Sequence, residues 1–145
     1  MATILVKADT EKNRLYITLS GKIILQDADT IHKFIRTEVD KLQPGFTVMN
    51  NCLDLEPVDV KVQMEMIKAV KYIINGKPSK IARIAKPLIS LMFFRISSLL
   101  GYKVKVFSSI VEAEKYLNGE IPVPARSQFL SSRTQDTQYS SNIAV

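Results

Sequence analysis

One cysteine, one histidine and no tryptophan among 145 residues remove several chemistries before any motif is sought. Cys52 stands alone, so an intramolecular disulfide and any cysteine-ligated zinc or iron–sulfur centre are excluded. His32 is the only imidazole; most zinc sites lack ligands here, and a nucleophile needing a histidine base would have to use this residue. Long apolar runs are missing as well. The stretch Pro87–Phe94 is interrupted by Ser90 and stopped by Arg95, far short of the ~20 residues that span a bilayer. Only three consecutive aliphatics, Ile4-Leu5-Val6, precede Lys7, so no secretory signal peptide is expected, and the chain is expected to be cytoplasmic. Polybasic runs are also absent. The net charge of +6 comes from basic residues scattered singly, which reads as a solvated basic surface rather than a nucleic-acid-binding arm.

What is present is ordinary globular composition, 46% hydrophobic and 23% charged, in a chain long enough for one core. Ile4-Leu5-Val6 and Leu15–Leu19 are rich in strand formers, with turn residues Asp9–Asn13 between them, and read as a hairpin. Asp27 suits a helix N-cap, followed by Ile31, Phe34, Ile35, Val39 and Leu42 at helical spacing until Pro44-Gly45. Phe46–Met49 opens a third strand running to about Leu53. After an acidic loop, Asp59 can cap a second helix whose apolar face holds Val62, Met66, Ile67, Val70, Ile73 and Ile74. Ile81–Ala85 reads as a fourth strand. Pro87 can open a third helix at its first position, with Leu88, Leu91, Met92, Ile96, Leu99 and Leu100 as its core stripe and Gly101 as its end. Val104–Phe107 reads as a fifth strand, and Ser109 with Glu112 as the capping box of a last helix ending near Asn118-Gly119. Residues 120–145 are dense in Ser, Thr and Gln and are expected to form a disordered polar tail to a 1–119 domain. The order β-β-α-β-α-β-α-β-α predicts an α/β domain, with a mixed sheet, a mainly parallel centre and packed helices.

This order resembles the STAS-type fold of bacterial anti-sigma-factor antagonists and of the related domain at the end of sulfate transporters. Leu15-Tyr16-Ile17-Thr18-Leu19-Ser20-Gly21 looks like that family's second strand and following glycine. Gly101–Phe107, followed by Glu112-Ala113-Glu114-Lys115-Tyr116-Leu117, looks like its last strand and helix. Regulated antagonists carry an acidic residue, a phosphorylatable Ser or Thr and a glycine at the start of the second helix. The corresponding stretch here is Val58-Asp59-Val60-Lys61-Val62, where Asp59 matches the acid and neither Val60 nor Lys61 can accept phosphate. The resemblance therefore implies a STAS-like interaction module without phosphoserine switching at this position.

The expected function is contact rather than catalysis, with no cofactor. Asp54, Glu56, Asp59 and Lys61 lie after the third strand, at the strand end where open α/β sheets tend to bind ligands. The third helix is apolar nearly all round. With Phe94 opposite its core stripe and Phe93 at the flank, it is expected to meet a protein partner or a second copy of the chain. Two alternatives stand beside this reading. One is a carrier holding a small apolar ligand beneath the Met- and Phe-rich helix. The other is a metal-dependent enzyme using the carboxylates of residues 54–59. Cys52 is expected to be a buried small hydrophobe, and His32 to sit at the edge of an apolar face. The terminal Ile143-Ala144-Val145 could add to a PDZ sheet edge, though random tails often end so.

Overall fold

In the computed structural model β1 (Thr3–Asp9) and β2 (Arg14–Ser20) form the expected hairpin, pairing antiparallel from Thr3 opposite Ser20 to Asp9 opposite Arg14. Its turn is held by side chains. The Asp9 carboxylate accepts the N–H groups of Glu11 and Lys12, both at 3.1 Å, and Asn13 takes the left-handed conformation (φ 53°) that asparagine tolerates. The Asn13 side chain also exchanges hydrogen bonds with the Gln43 backbone, pinning the hairpin to the loop before the next strand. The structure describes residues 2–120; the tail expected beyond residue 120 and its Ile143–Val145 end lie outside them.

The hairpin is followed by α1 (Leu25–Val39), β3 (Thr47–Asn51), α2 (Val60–Asn75), β4 (Lys80–Ile84), α3 (Pro87–Leu100), β5 (Lys105–Phe107) and α4 (Ile110–Leu117). The five strands lie in one sheet in chain order, and every pair after β1–β2 is parallel. The expected mixed α/β architecture is therefore the observed one. The monotonic order has a consequence for layering. Each parallel crossover must be right-handed, and steps taken in one direction deliver α1, α2 and α3 to the same face of the sheet. That face carries the main core, built from Leu15, Ile17, Val48, Cys52, Ile31, Ile35, Met66 and Phe93 among others. Among the described residues the opposite face is covered by α4, where Ala113 and Leu117 pack on Met49, Ala82 and Ile84.

The helix ends follow their local chemistry, with one shift. Helix α1 starts two residues before Asp27, so Asp27 is not the N-cap; its carboxylate reaches back from the first turn to accept the N–H of Ile24 at 2.9 Å. Asp59 does hold the N-cap position of α2 but makes no side-chain capping bond. Ser109 caps α4 as expected, accepting the Glu112 N–H at 3.2 Å. Gly101 ends α3 in the left-handed region (φ 73°), where a glycine is unstrained.

Two core assignments differ from the sequence pattern. Phe34 of α1 is exposed, and the buried stripe there is Ala28, Ile31, Ile35 and Val39. In α3 the buried residues are Ile89, Phe93, Ile96 and Ser97, while Leu88, Leu91 and Leu99 face outward. The expected stripe is thus displaced by roughly one residue step, about 100° around the helix. Ser97 tolerates burial because its hydroxyl donates to the Phe94 carbonyl within the same helix at 2.9 Å.

Candidate interaction surface

In this topology the N-termini of α1, α2 and α3 share the end of the sheet at which the parallel strands finish. Each contributes exposed apolar residues there: Ile24 and Leu25 before and at the start of α1, Val60 and Met64 on α2, and Leu88 and Leu91 on α3. Leu53, in the loop after β3, adds to them. Along α3 the same outward side continues through Phe94 and Leu99, which are 54% and 72% exposed. Lys86 and Arg95 stand exposed among these side chains, and neither forms an ion pair among the described residues.

The expected contact residues fall into three groups. Phe94 is exposed on α3, and Asp59 and Lys61 are exposed at the start of α2, as a contact role requires. Phe93 is not available: it is 3% exposed and its ring lies under α3, with the Arg83 guanidinium carbon 4.4 Å from its centroid. Its place on the helix makes it core, because the buried face is centred on Ile89, Phe93 and Ile96. Asp54 and Glu56 are also exposed, on a loop fixed through its backbone. The Asp54 carbonyl accepts the Gly21 N–H at 2.9 Å, and the Glu56 N–H donates to the Gly21 carbonyl at 3.0 Å. This clasp spaces the loop as a short parallel bridge between Gly21 and Leu55. Asp54, Glu56 and Asp59 do not converge, and no group of three His, Cys, Asp or Glu able to hold a metal ion occurs among the described residues. The metal-dependent reading loses its ligand set.

The carrier reading meets a similar obstacle, because Phe93 packs against Arg83 beneath α3. A surface cavity of about 250 Å³ lies instead at the other end of β4, lined by Ile74, Lys77, Pro78, Ser79, Lys80, Ile81, Tyr102 and Lys103. No α3 side chain lines it. Cys52 is fully buried, and burial pushes its thiol up to about 11 although the nearby Arg83 charge pulls the other way. It is a protonated hydrophobe at neutral pH, as expected. His32 is half-buried on α1 and belongs to no metal-ligating cluster.

Sequence reasoning missed the two buried arginines. Arg14 is 3% exposed and Arg83 4% exposed. The signal for Arg83 was a charge inside the otherwise apolar Ile81-Ala82-Arg83-Ile84, a strand buried on both faces.

No protein-family model matches the sequence, and no curated protein matches it. Solved structures do. One is an uncharacterised protein of the DUF3478 family with a SpoIIAA-like fold, from Shewanella loihica PV-4. It is 13% identical, with 80% of this chain and 93% of that chain covered at a TM-score of 0.61. A second is an anti-sigma factor antagonist from Mycobacterium paratuberculosis, 12% identical, with 81% and 95% covered at a TM-score of 0.58. This chain has a SpoIIAA-like fold. The STAS-type resemblance read from the sequence is therefore present in the backbone, where the hairpin, the parallel strands and the four helices complete the SpoIIAA-like order. Within that fold Val60 and Lys61 occupy the first turn of α2, and no helix among the described residues is long and apolar enough to cross a membrane.

Proposed function

We propose that this chain is a non-enzymatic regulatory module that binds a protein partner through the outward side of α3 and the first turn of α2. The observation that carries the reading is the exposure of Leu88, Leu91, Phe94 and Leu99, four large apolar side chains on one short helix. Burying each would contribute about 1.5–3 kcal/mol, enough together for a modest interface. Helix α3 carries no acidic residue, and Lys86 and Arg95 stand exposed beside its outward apolar side chains, so the fitting partner presents apolar residues with carboxylates toward α3. The anti-sigma factor antagonist among the structural neighbours supports a regulatory role of this kind. With Val60 and Lys61 where a hydroxyl residue would be needed, contact at α2 is not switched by phosphorylation of that turn.

Phe94→Asp and Leu91→Asp place a charge in the centre of the surface without touching the core. Each is expected to abolish capture of the natural protein partner from the source cells, with an unchanged circular dichroism spectrum and melting temperature. Partners captured equally by the wild-type chain and both variants would overturn the reading. A wild-type dimer that becomes monomeric in the variants, seen by light scattering, would assign the surface to a second copy instead.

A further inference from the structure

The two buried arginines are accommodated in opposite ways. Arg14 donates to Glu114, Asn118 and Thr47 at 2.5, 2.9 and 2.8 Å. The side chain of Arg83, on β4, makes no hydrogen bond or ion pair with any described residue, and its Nε is enclosed without an acceptor. A guanidinium stays ionised in proteins. The Phe93 ring face offsets part of the desolvation of such a charge, but it cannot accept five N–H groups.

The neighbours of Arg83 add donors. Asn50 is its partner across the β3–β4 pair and lies on the same face of the sheet as Cys52. The Asn50 carbonyl oxygen accepts the Cys52 thiol at 3.0 Å, and its amide nitrogen donates to no described residue. The two side chains carry seven N–H donors, five on Arg83 and two on Asn50, against the single Asn50 oxygen, which already takes the Cys52 thiol on one of its two lone pairs. A planar or tetrahedral oxyanion is the complementary chemistry, since it accepts only and can take the guanidinium fork two bonds at a time. Arg83 as a whole is 4% exposed, and its Nε is the guanidinium atom enclosed without a partner among the described residues.

We propose that Arg83, assisted by Asn50, is the recognition element of an anion site beneath α3 that takes a carboxylate or phosphate group. The site does not depend on the protein-binding role of the outward side of α3. Phe93 and Ile81 are the core residues beside Arg83, so the source of the group, a free oxyanion or a carboxylate on a short apolar body, is decided by which anion the protein responds to.

The test is thermal unfolding of the full chain titrated with inorganic phosphate or with hexanoate, each against sodium chloride at matched ionic strength. The wild-type midpoint is expected to rise by about 10 °C when the anion reaches a hundred times its Kd. A larger response to phosphate assigns a free oxyanion, and a larger one to hexanoate a carboxylate with an apolar body. Arg83→Met, which keeps the stem and removes the charge, is expected to show no anion-specific rise and to melt no lower than the wild type without anion. Asn50→Leu, which keeps Arg83, is expected to raise the half-saturating concentration about tenfold. A wild-type midpoint that moves no further with phosphate or hexanoate than with chloride overturns the proposal. So does an equal anion response in Arg83→Met, or an unchanged half-saturating concentration in Asn50→Leu should the first variant fail to fold.

Discussion

Glu114 reaches from α4 to Arg14 at 2.5 Å, and the same carboxylate accepts the Tyr16 hydroxyl at 3.0 Å. Asn118 and Thr47 take the other two nitrogens of the guanidinium, so every nitrogen of a charge that is 4% exposed has a partner. Removing the carboxylate leaves that charge buried, and Glu114→Ala is expected to cost about 3 kcal/mol in urea unfolding. The double variant Arg14→Met with Glu114→Leu should recover most of the loss, because an apolar pair removes the penalty together with the attraction. A single variant within 0.5 kcal/mol of the wild type would show the cluster to be solvated. None of this was legible in the sequence. Arg14 opens a strand, where a charge ordinarily faces water, and its partner is 100 positions away. Cys52 was legible, because a lone cysteine at the end of a strand has burial as its simplest account. Its raised pKa gives a sign as well. The unfolded thiol ionises from about pH 9 while the folded one stays protonated to about 11, so stability falls as pH rises through that window.

Among the elements, α3 shows where pattern reading stops. Its boundaries were plain from Pro87 and Gly101, and both ends are observed as expected. Its buried face was not. In Pro-Leu-Ile-Ser-Leu-Met-Phe-Phe-Arg-Ile-Ser-Ser-Leu-Leu almost every direction around the helix is apolar, so several stripes satisfy the helical period equally. Arg95 lies within the stripe chosen from the sequence, and its charge marks that side as the solvent side; the serines diluted the true face because Ser97 satisfies its own hydroxyl. The two faces separate energetically. Phe93→Ala is expected to cost about 3–5 kcal/mol as a cavity opens over Arg83. Leu99→Lys and Leu88→Gln, on the outward side, should stay within about 0.5 kcal/mol. Equal costs on both sides, measured by denaturant midpoints, would mean that the helix is rotated from the position described.

At the scale of the whole molecule, the strand order decides what is covered. With three crossover helices on one face, the other face has only α4 among the described residues, and an eight-residue helix cannot shield five strands. It covers β3, β4 and β5, where Ala113 is fully buried against the sheet. On β1 the residues alternate: Ile4 and Val6 turn to the main core, and Leu5, between them, turns to the other side and is 60% exposed. The β-β-α-β-α-β-α-β-α order was readable because hairpin turns, helix stops and alternating aliphatics are local signals. The uneven cover of the outer face was not, since it follows from handedness acting on the complete order. The two halves of this face should therefore answer differently to substitution. Ala113→Leu forces extra volume between α4 and β4 and is expected to cost about 1–3 kcal/mol. Leu5→Lys, on the open half, should stay within about 0.5 kcal/mol and leave the chain's mass in solution unchanged. A loss of more than 1 kcal/mol at Leu5, or a change of oligomeric state, would show that this half of the sheet is covered after all, and that contact is not confined to α2 and α3.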